Sequence, residues 1–292
     1  MLETVAVVGV GHMGAPMARN VARAGFRLMA CDVDAAALAT FEGIGAVTRD
    51  AGECAKCDAV ILLVANGEQV KEVARTVADQ VAGTPPVLII MSTVTAAVVR
   101  EVADAVAPAG IRVVDAPVSG GIVRAQEGTL AIMAGGADAD VAAVRPLLEA
   151  MGRTVFACGP LGSGETVKII NNLIGIQNII LCAEAFQLAT AQGLSFDRLI
   201  PILDASSGRN FFSASPEDAP AAYGAWARSP ADFASLVSII RKDIALAREA
   251  ADEVGGAFPA IDALTGVLDK LDDETYRTWR SVAGMDERGR DG

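Results

Sequence analysis

The sequence predicts a doubly wound α/β domain with a mostly parallel sheet, followed by an all-α domain, the two joined by a long helix. Three observations carry this prediction. A glycine-rich turn near the N-terminus lies between an apolar strand pattern and a helical one. Strand and helix patterns then alternate as far as residue 158, as they do in parallel sheets with crossover helices. Beyond Gly162-Ser163-Gly164 the alternation stops, and only helical segments and loops follow to about Arg280. The expected boundaries are 1–161 for the first domain and 162–292 for the second.

Residues 5–8 form a short β-branched run that reads as a buried strand. Gly9, Gly11 and Gly14 follow in G-x-G-x-x-G spacing, and Met13, Met17, Val21 and Ala24 then mark one side of a helix. Each glycine has a physical reason. Gly9 allows a tight turn, Gly11 lets the backbone approach a pyrophosphate, and Gly14 lets helix and strand pack closely. Free N–H groups and the dipole at the helix start favour the phosphates. His12 and Met13 lie within this turn and count among its cofactor-binding residues. A second strand at 27–31 ends at Asp32, near where a dinucleotide fold needs an acid for the ribose 2′-hydroxyl. A carboxylate there repels a 2′-phosphate, and no arginine follows directly in Cys31-Asp32-Val33-Asp34, so NAD is expected over NADP. Asp34 is available to cap the next helix in place of Asp32.

Further strands are expected at 59–64, 87–91, 112–115, 129–134 and 154–157, with helices at 68–81, 95–107 and 138–150 between them. Several strands end in small or polar groups: Ala65-Asn66-Gly67, Ser92-Thr93, and Ser119-Gly120-Gly121. Ligands of such folds bind beyond the carboxyl ends of strands. Residues 165–192 have helical periodicity without proline and are long enough to link two domains. Residues 208–226, with Pro216 and Pro220, read as a loop or short helices, and the charged tail 286–292 as disordered.

The chain has 292 residues, 52% of them hydrophobic and 21% charged, enough for two globular domains with sizeable cores. A net charge of −12 argues against nucleic acid or an anionic membrane as partner, but not against a small anion in a locally positive pocket. No signal peptide is apparent, and apolar runs such as 59–65 are too short to span a bilayer. The cysteines (31, 54, 57, 158 and 182) are an odd, scattered set without a disulfide framework, so a cytoplasmic location is expected. Cys54-x-x-Cys57 lacks a second pair or a nearby histidine and reads as ordinary packing, so no metal site is expected. The single histidine, His12, lies in the glycine turn, which makes a histidine acid/base or a multi-histidine metal site hard to build. Proton transfer then falls to a lysine, a tyrosine or a carboxylate.

Lys168 and Asn172 are four residues apart at the start of the long helix and share a face; Asn171 is adjacent to it. A lysine partly desolvated at a domain junction has a lowered pKa. It is then suited to take a hydroxyl proton as hydride leaves the same carbon. Asn172 is placed to orient a substrate. Ser119, Gly120 and Gly121 offer a hydroxyl and backbone N–H groups suited to a carboxylate, or form only a turn. In Ser206-Ser207-Gly208-Arg209-Asn210, Arg209 either binds a second anionic group of the substrate, with Asn210 beside it, or makes a surface salt bridge.

These motifs resemble the β-hydroxyacid dehydrogenase family, which includes 3-hydroxyisobutyrate dehydrogenases and the N-terminal part of 6-phosphogluconate dehydrogenases. The matching segments are GVGHMGAPMARN at 9–20, DAPVSGGIVRAQEGTLAIMAGG at 115–136, GSGETVKIINN at 162–172 and KDIALA at 242–247. The resemblance implies a Rossmann domain, a connecting helix and a helical domain. It makes Lys168 the general acid/base and gives Ser119, Gly120, Gly121 and Asn172 to the substrate carboxylate. It sets Val64, Ala65 and Thr93 along the cofactor and Lys242 at the nicotinamide end. Ala65 stands where relatives often have proline. Decarboxylating relatives carry a glutamate two turns after the lysine; here that position is Gly175. The activity implied is NAD-dependent interconversion of a short β-hydroxy acid and its aldehyde or keto acid, without decarboxylation, in a homodimer or homotetramer. Two alternatives are an imine reductase of the same fold, against which Lys168 argues, and a non-catalytic dinucleotide-binding module.

Overall fold

The structure, a computed structural model, describes residues 2–255 and 257–285. The tail 286–292 lies outside the described residues. The chain forms two compact units, Met1–Ile169 and Ile170–Gly292.

The first unit contains β1 (Thr4–Val8), α1 (Gly14–Arg23), β2 (Arg27–Cys31), α2 (Ala35–Ala39), β3 (Ala46–Thr48), β4 (Ala59–Leu62) and α3 (Gly67–Asp79). It continues with β5 (Val87–Ile90), α4 (Ala96–Val106), β6 (Arg112–Asp115), β7 (Val118–Ser119), α5 (Gly121–Glu127), β8 (Leu130–Gly135), α6 (Asp138–Glu149) and β9 (Gly152–Gly159). The strands make one sheet in the order β3-β2-β1-β4-β5-β6-β8-β7, with β9 paired to β8. β1 to β6 are parallel; β8 meets β6 and β7 antiparallel, and β9 runs parallel to β8. β3 and β7 are absent from the sequence prediction. They have three and two residues, too few for a period-2 pattern to register.

Apolar side chains leave both faces of the sheet. Val5, Val7, Ile61 and Ile89 pack with Met17 and Val21 of α1 and Val144 and Leu148 of α6. On the other face Ala6, Val8, Val60, Leu62, Leu88 and Ile90 pack with Val70 and Val77 of α3 and Val99 and Val102 of α4. A strand covered on both faces reads as a continuous apolar run, which is why these strands were legible. Full burial of each such Val, Leu or Ile contributes roughly 1.5–3 kcal/mol. Cys54 and Cys57 lie in the second of these cores, and burial pushes the Cys57 thiol up to about 11. After β3 the chain crosses back to lay β4 beside β1. That reversal is the switch point at which doubly wound sheets bind ligands.

In the chain beyond β9, α7 (Ser163–Ala191) is continuous through the division between the units and is followed by α8 (Phe196–Asp204), α9 (Asp218–Trp226), α10 (Pro230–Val254), α11 (Pro259–Leu268) and α12 (Asp273–Val282). The helix begins close to the boundary expected from sequence at 161/162, while the compact units divide at 169/170. Its first turn is fastened to the end of the sheet. The helical core is built on Ile176, Ile180 and Phe186 of α7 with Phe212, Tyr223, Phe233 and Trp279. Tyr223 stacks on Phe212 at 5.4 Å and meets Trp279 edge-on at 5.3 Å. Its hydroxyl donates to the Ile179 carbonyl at 2.5 Å.

By length and composition alone, α7 is long and apolar enough to cross a membrane. Glu165, Lys168, Asn171 and Asn172 interrupt its apolar sequence, so it contains no unbroken apolar run of membrane-spanning length. A core helix of a globular unit passes the same test; here one face of α7, with Ile176, Ile180, Ala183 and Phe186, is buried in the helical core, while 33% of its apolar window is buried in all.

Candidate active site

The glycine turn follows β1 at the switch point. Gly9 has φ +90°, and a Cβ there would lie 2.3 Å from the Leu63 carbonyl oxygen. A Cβ on Gly14 would lie 1.9 Å from the Gly9 carbonyl oxygen, so only glycine lets α1 start this close to the turn. Gly11 differs: a Cβ there meets no atom within 4 Å. Protein packing gives no reason for glycine at this position, whereas a group bound over the backbone does. His12 and Met13 complete the turn, His12 exposed and Met13 partly buried.

Asp32 follows β2. Its Oδ2 accepts from the Val10 amide at 2.8 Å and its Oδ1 from the Asp34 amide at 2.9 Å. The carboxylate is thus fixed beside the glycine turn, each oxygen keeping lone pairs for a ribose hydroxyl. Capping of α2 falls to Asp34, which accepts from the Ala36 amide at 2.9 Å. Gly9, Gly11, Asp32, Val33, Val64 and Ala65 line one cavity of about 410 Å³. The Val64 amide donates to the Ser92 hydroxyl at 2.8 Å, and Thr93 is the next residue in that turn. Ala65 donates to Gln69 Oε1 at 2.9 Å and Asn66 caps α3, which together hold this wall of the cavity. Open space over Gly11, a fixed carboxylate and apolar walls fit a dinucleotide.

Lys168 is buried in the second turn of α7, and the fastening of that helix start is the part of the site sequence reasoning missed. Asp115, at the end of β6, is fully buried. Its Oδ1 accepts from the Gly162 amide at 2.7 Å and its Oδ2 from the Glu165 amide at 2.9 Å. Burial pushes this carboxyl above the ordinary carboxylate value, and the amides pull it back. Cβ atoms on Gly135 and Gly164 would lie 2.5 Å from Asp115 Oδ1 and 2.2 Å from the Met133 carbonyl oxygen respectively, so both glycines admit the helix end to the sheet. Glu165, also buried, accepts from the Val94 amide at 3.3 Å. Lys168 is therefore held at the carboxyl edge of the strands, the edge that carries the glycine turn. Asp115 appeared in the sequence only as the first letter of a motif; its partners lie 47 and 50 residues on.

Ser119, Gly120 and Gly121 follow Asp115 in this unit. Gly120 and Gly121 have φ +134° and +69°, so the tight turn into α5 requires glycine at both. Asn20 Nδ2 donates to the Ala125 carbonyl at 2.7 Å and ties α5 to α1.

In the helical unit, Asn172 Nδ2 donates to Asp243 Oδ2 at 2.8 Å, and Lys242 Nζ lies 3.1 Å from Asp243 Oδ1. Asn172 and Lys242 are thus joined through a buried carboxylate that sequence reasoning passed over inside KDIALA. The 206–210 segment is otherwise occupied. Arg209 pairs with Asp204 at 3.0 Å and is largely exposed, as a surface salt bridge would be. Asn210 Oδ1 accepts from the Phe212 amide and from Cys182 Sγ, and its Nδ2 donates to the Gly208 carbonyl. The Asn210 side chain thus holds its own loop together.

The doubly wound sheet, glycine turn and ribose-side carboxylate define a dinucleotide-dependent oxidoreductase. The family described as the NAD binding domain of 6-phosphogluconate dehydrogenase matches residues 4–159, and that described as NAD-binding of NADP-dependent 3-hydroxyisobutyrate dehydrogenase matches 162–282. An NAD-dependent L-serine dehydrogenase of Pseudomonas aeruginosa is 33% identical over 270 residues, 88% of each chain. A probable 3-hydroxyisobutyrate dehydrogenase of Mycobacterium tuberculosis is 35% identical over 267 residues, again 88% of each. The structure of Mycobacterium tuberculosis 3-hydroxyisobutyrate dehydrogenase with L-serine superposes with a TM-score of 0.84 at 28% identity, covering 97% of this chain and 99% of that one. The chain belongs to the β-hydroxyacid dehydrogenase family and is an NAD-dependent hydroxyacid dehydrogenase.

Proposed function

We propose that the protein interconverts a short β-hydroxy acid and its aldehyde or keto acid without decarboxylation, with Lys168 as general acid/base. The carrying observation is the placement of Lys168: buried, and fixed to the carboxyl edge of the sheet through Asp115 and the first turn of α7. In the oxidative direction the neutral amine of Lys168 takes the substrate hydroxyl proton as the C–H bond breaks. Bound NAD supplies the acceptor for the departing hydride. Ser119 and the amides of Gly120 and Gly121 hold the carboxylate, and Asn172, one turn beyond Lys168, orients the hydroxyl carbon. Proton transfer of this kind contributes about 10²–10⁴ in rate. Gly175, two turns after Lys168, offers no side chain to protonate an enediol, which supports an outcome that retains the carboxyl group. The named relatives act on L-serine and 3-hydroxyisobutyrate, both β-hydroxy acids, and these head the candidate substrates.

The test is NAD-linked oxidation of L-serine, 3-hydroxyisobutyrate, 3-hydroxypropionate, glycerate and threonate, run beside Lys168→Ala. The expected result is turnover of at least one acid, a fall in kcat of about 10²–10⁴ in the variant, an unchanged Kd for NAD, and no CO₂ release. No turnover of any acid by a preparation that binds NAD would overturn the proposal. A homodimer or homotetramer belongs to the same reading, supported by the exposed Ile174, Leu181 and Leu188 along α7; sedimentation velocity tests it.

A further inference from the structure

Among the described residues, Arg49 is the basic side chain that lines the cavity of the glycine turn and Asp32. It lies seventeen positions beyond Asp32 in sequence but beside it in space. β2 and β3 are parallel with Cys31 opposite Thr48, and the Asp32 amide donates to the Thr48 carbonyl at 3.3 Å. Asp32 and Arg49 are the residues that directly follow this last pair on the two strands. The turn that carries Arg49 is held by its neighbours: the Asp50 amide donates to the Thr48 hydroxyl, that hydroxyl donates to Glu53, and Asp50 caps Gly52. Asp50 and Glu53 are thereby engaged elsewhere, and no hydrogen bond or ion pair of the Arg49 guanidinium occurs among the described residues. Next to it Val33, also lining the cavity, is 79% exposed.

The dinucleotide's order of groups then assigns this corner. With a pyrophosphate over Gly11 and a ribose diol on Asp32, the adenine would come next, at Val33 and Arg49, which line the same cavity. We propose that Arg49 binds the adenine ring, stacking its guanidinium plane on one face of the base while Val33 covers another part of it. Arginine suits this because its planar cation is weakly hydrated and stacks on aromatic faces. A 2′-phosphate is the other chemistry a guanidinium recognises. The Asp32 carboxylate opposes that: amides of Val10 and Asp34 hold both of its oxygens, so it cannot swing aside.

Calorimetric titration with ADP-ribose and with 2′-phospho-ADP-ribose, on the parent, Arg49→Ala and Arg49→Lys, tests the assignment. Arg49→Ala should raise the Kd for ADP-ribose about fivefold, the scale of one cation–π contact, with a similar factor for the phosphorylated ligand if it binds measurably. Arg49→Lys should recover part of the loss, and the thermal midpoint should not move, since an exposed side chain without partners is removed. An ADP-ribose Kd within twofold of the parent in Arg49→Ala would overturn the proposal. So would a loss confined to 2′-phospho-ADP-ribose, which would make Arg49 a phosphate reader.

Discussion

The glycine turn after β1 and the 206–210 segment before the short helical turn at Phe211–Ser213 were both singled out from sequence, and they fare differently. In the glycine turn the chemistry resides in the backbone: Gly9, Gly11 and Gly14 are needed for a positive φ, an open approach and a close contact. Backbone requirements restrict residue identity so strongly that the sequence displays them. In the 206–210 segment the chemistry was assigned to side chains, and side chains have alternatives. Arg209 has Asp204, and Asn210 has Phe212, Cys182 and Gly208. A spacing of glycines predicts a role; a polar cluster predicts only that some partner exists.

Substitutions in these two regions, and at Asp115 between them in sequence, differ in size. The largest effect is expected at Gly14. Gly14→Ala sets a Cβ against the Gly9 carbonyl and should lower the thermal midpoint and abolish NAD binding together, whereas Gly11→Ala should keep the parent midpoint and weaken NAD alone. Thermal melts with and without NAD separate the two; a Gly11→Ala protein that melts early would make that glycine structural as well. Next comes Asp115→Asn, which turns an N–H₂ group towards one of the two amides that Asp115 accepts. Losing a buried hydrogen bond of this kind costs about 1–3 kcal/mol. Activity should fall further than stability explains, because the start of α7 positions Lys168; kcat measured well below the midpoint checks this. The smallest effect is at Arg209. Arg209→Ala removes a mostly exposed salt bridge worth about 0–1 kcal/mol, and KM for a monoanionic hydroxy acid should stay within about twofold. A rise confined to a dianionic substrate would establish the anion-binding role.

Most of the fold was legible because the first unit's central strands are buried on both faces and its helices carry caps such as Asn66 and Thr95. What escaped were contacts between residues distant in sequence. The amides that Asp115 holds, the partner Asp243 offers Asn172, and the nearness of Arg49 to Asp32 depend on strand order and helix approach, which no local pattern encodes. β3 escaped for its length, and with it the register that sets Arg49 beside the cofactor's carboxylate.

The aromatic cluster around Tyr223 has an optical consequence. Both tryptophans, Trp226 and Trp279, and both tyrosines, Tyr223 and Tyr276, fall in Ile170–Gly292, so the sheet unit has none. Intrinsic emission therefore watches the helical unit melt and is blind to the other, while far-UV ellipticity sees both. NAD held by the sheet unit raises that unit's stability by mass action. With NAD present, any parting of the emission and ellipticity curves would resolve two transitions, and coincident curves would mean that the units unfold as one. The molecule thus carries its own spectroscopic label, confined to one of its halves.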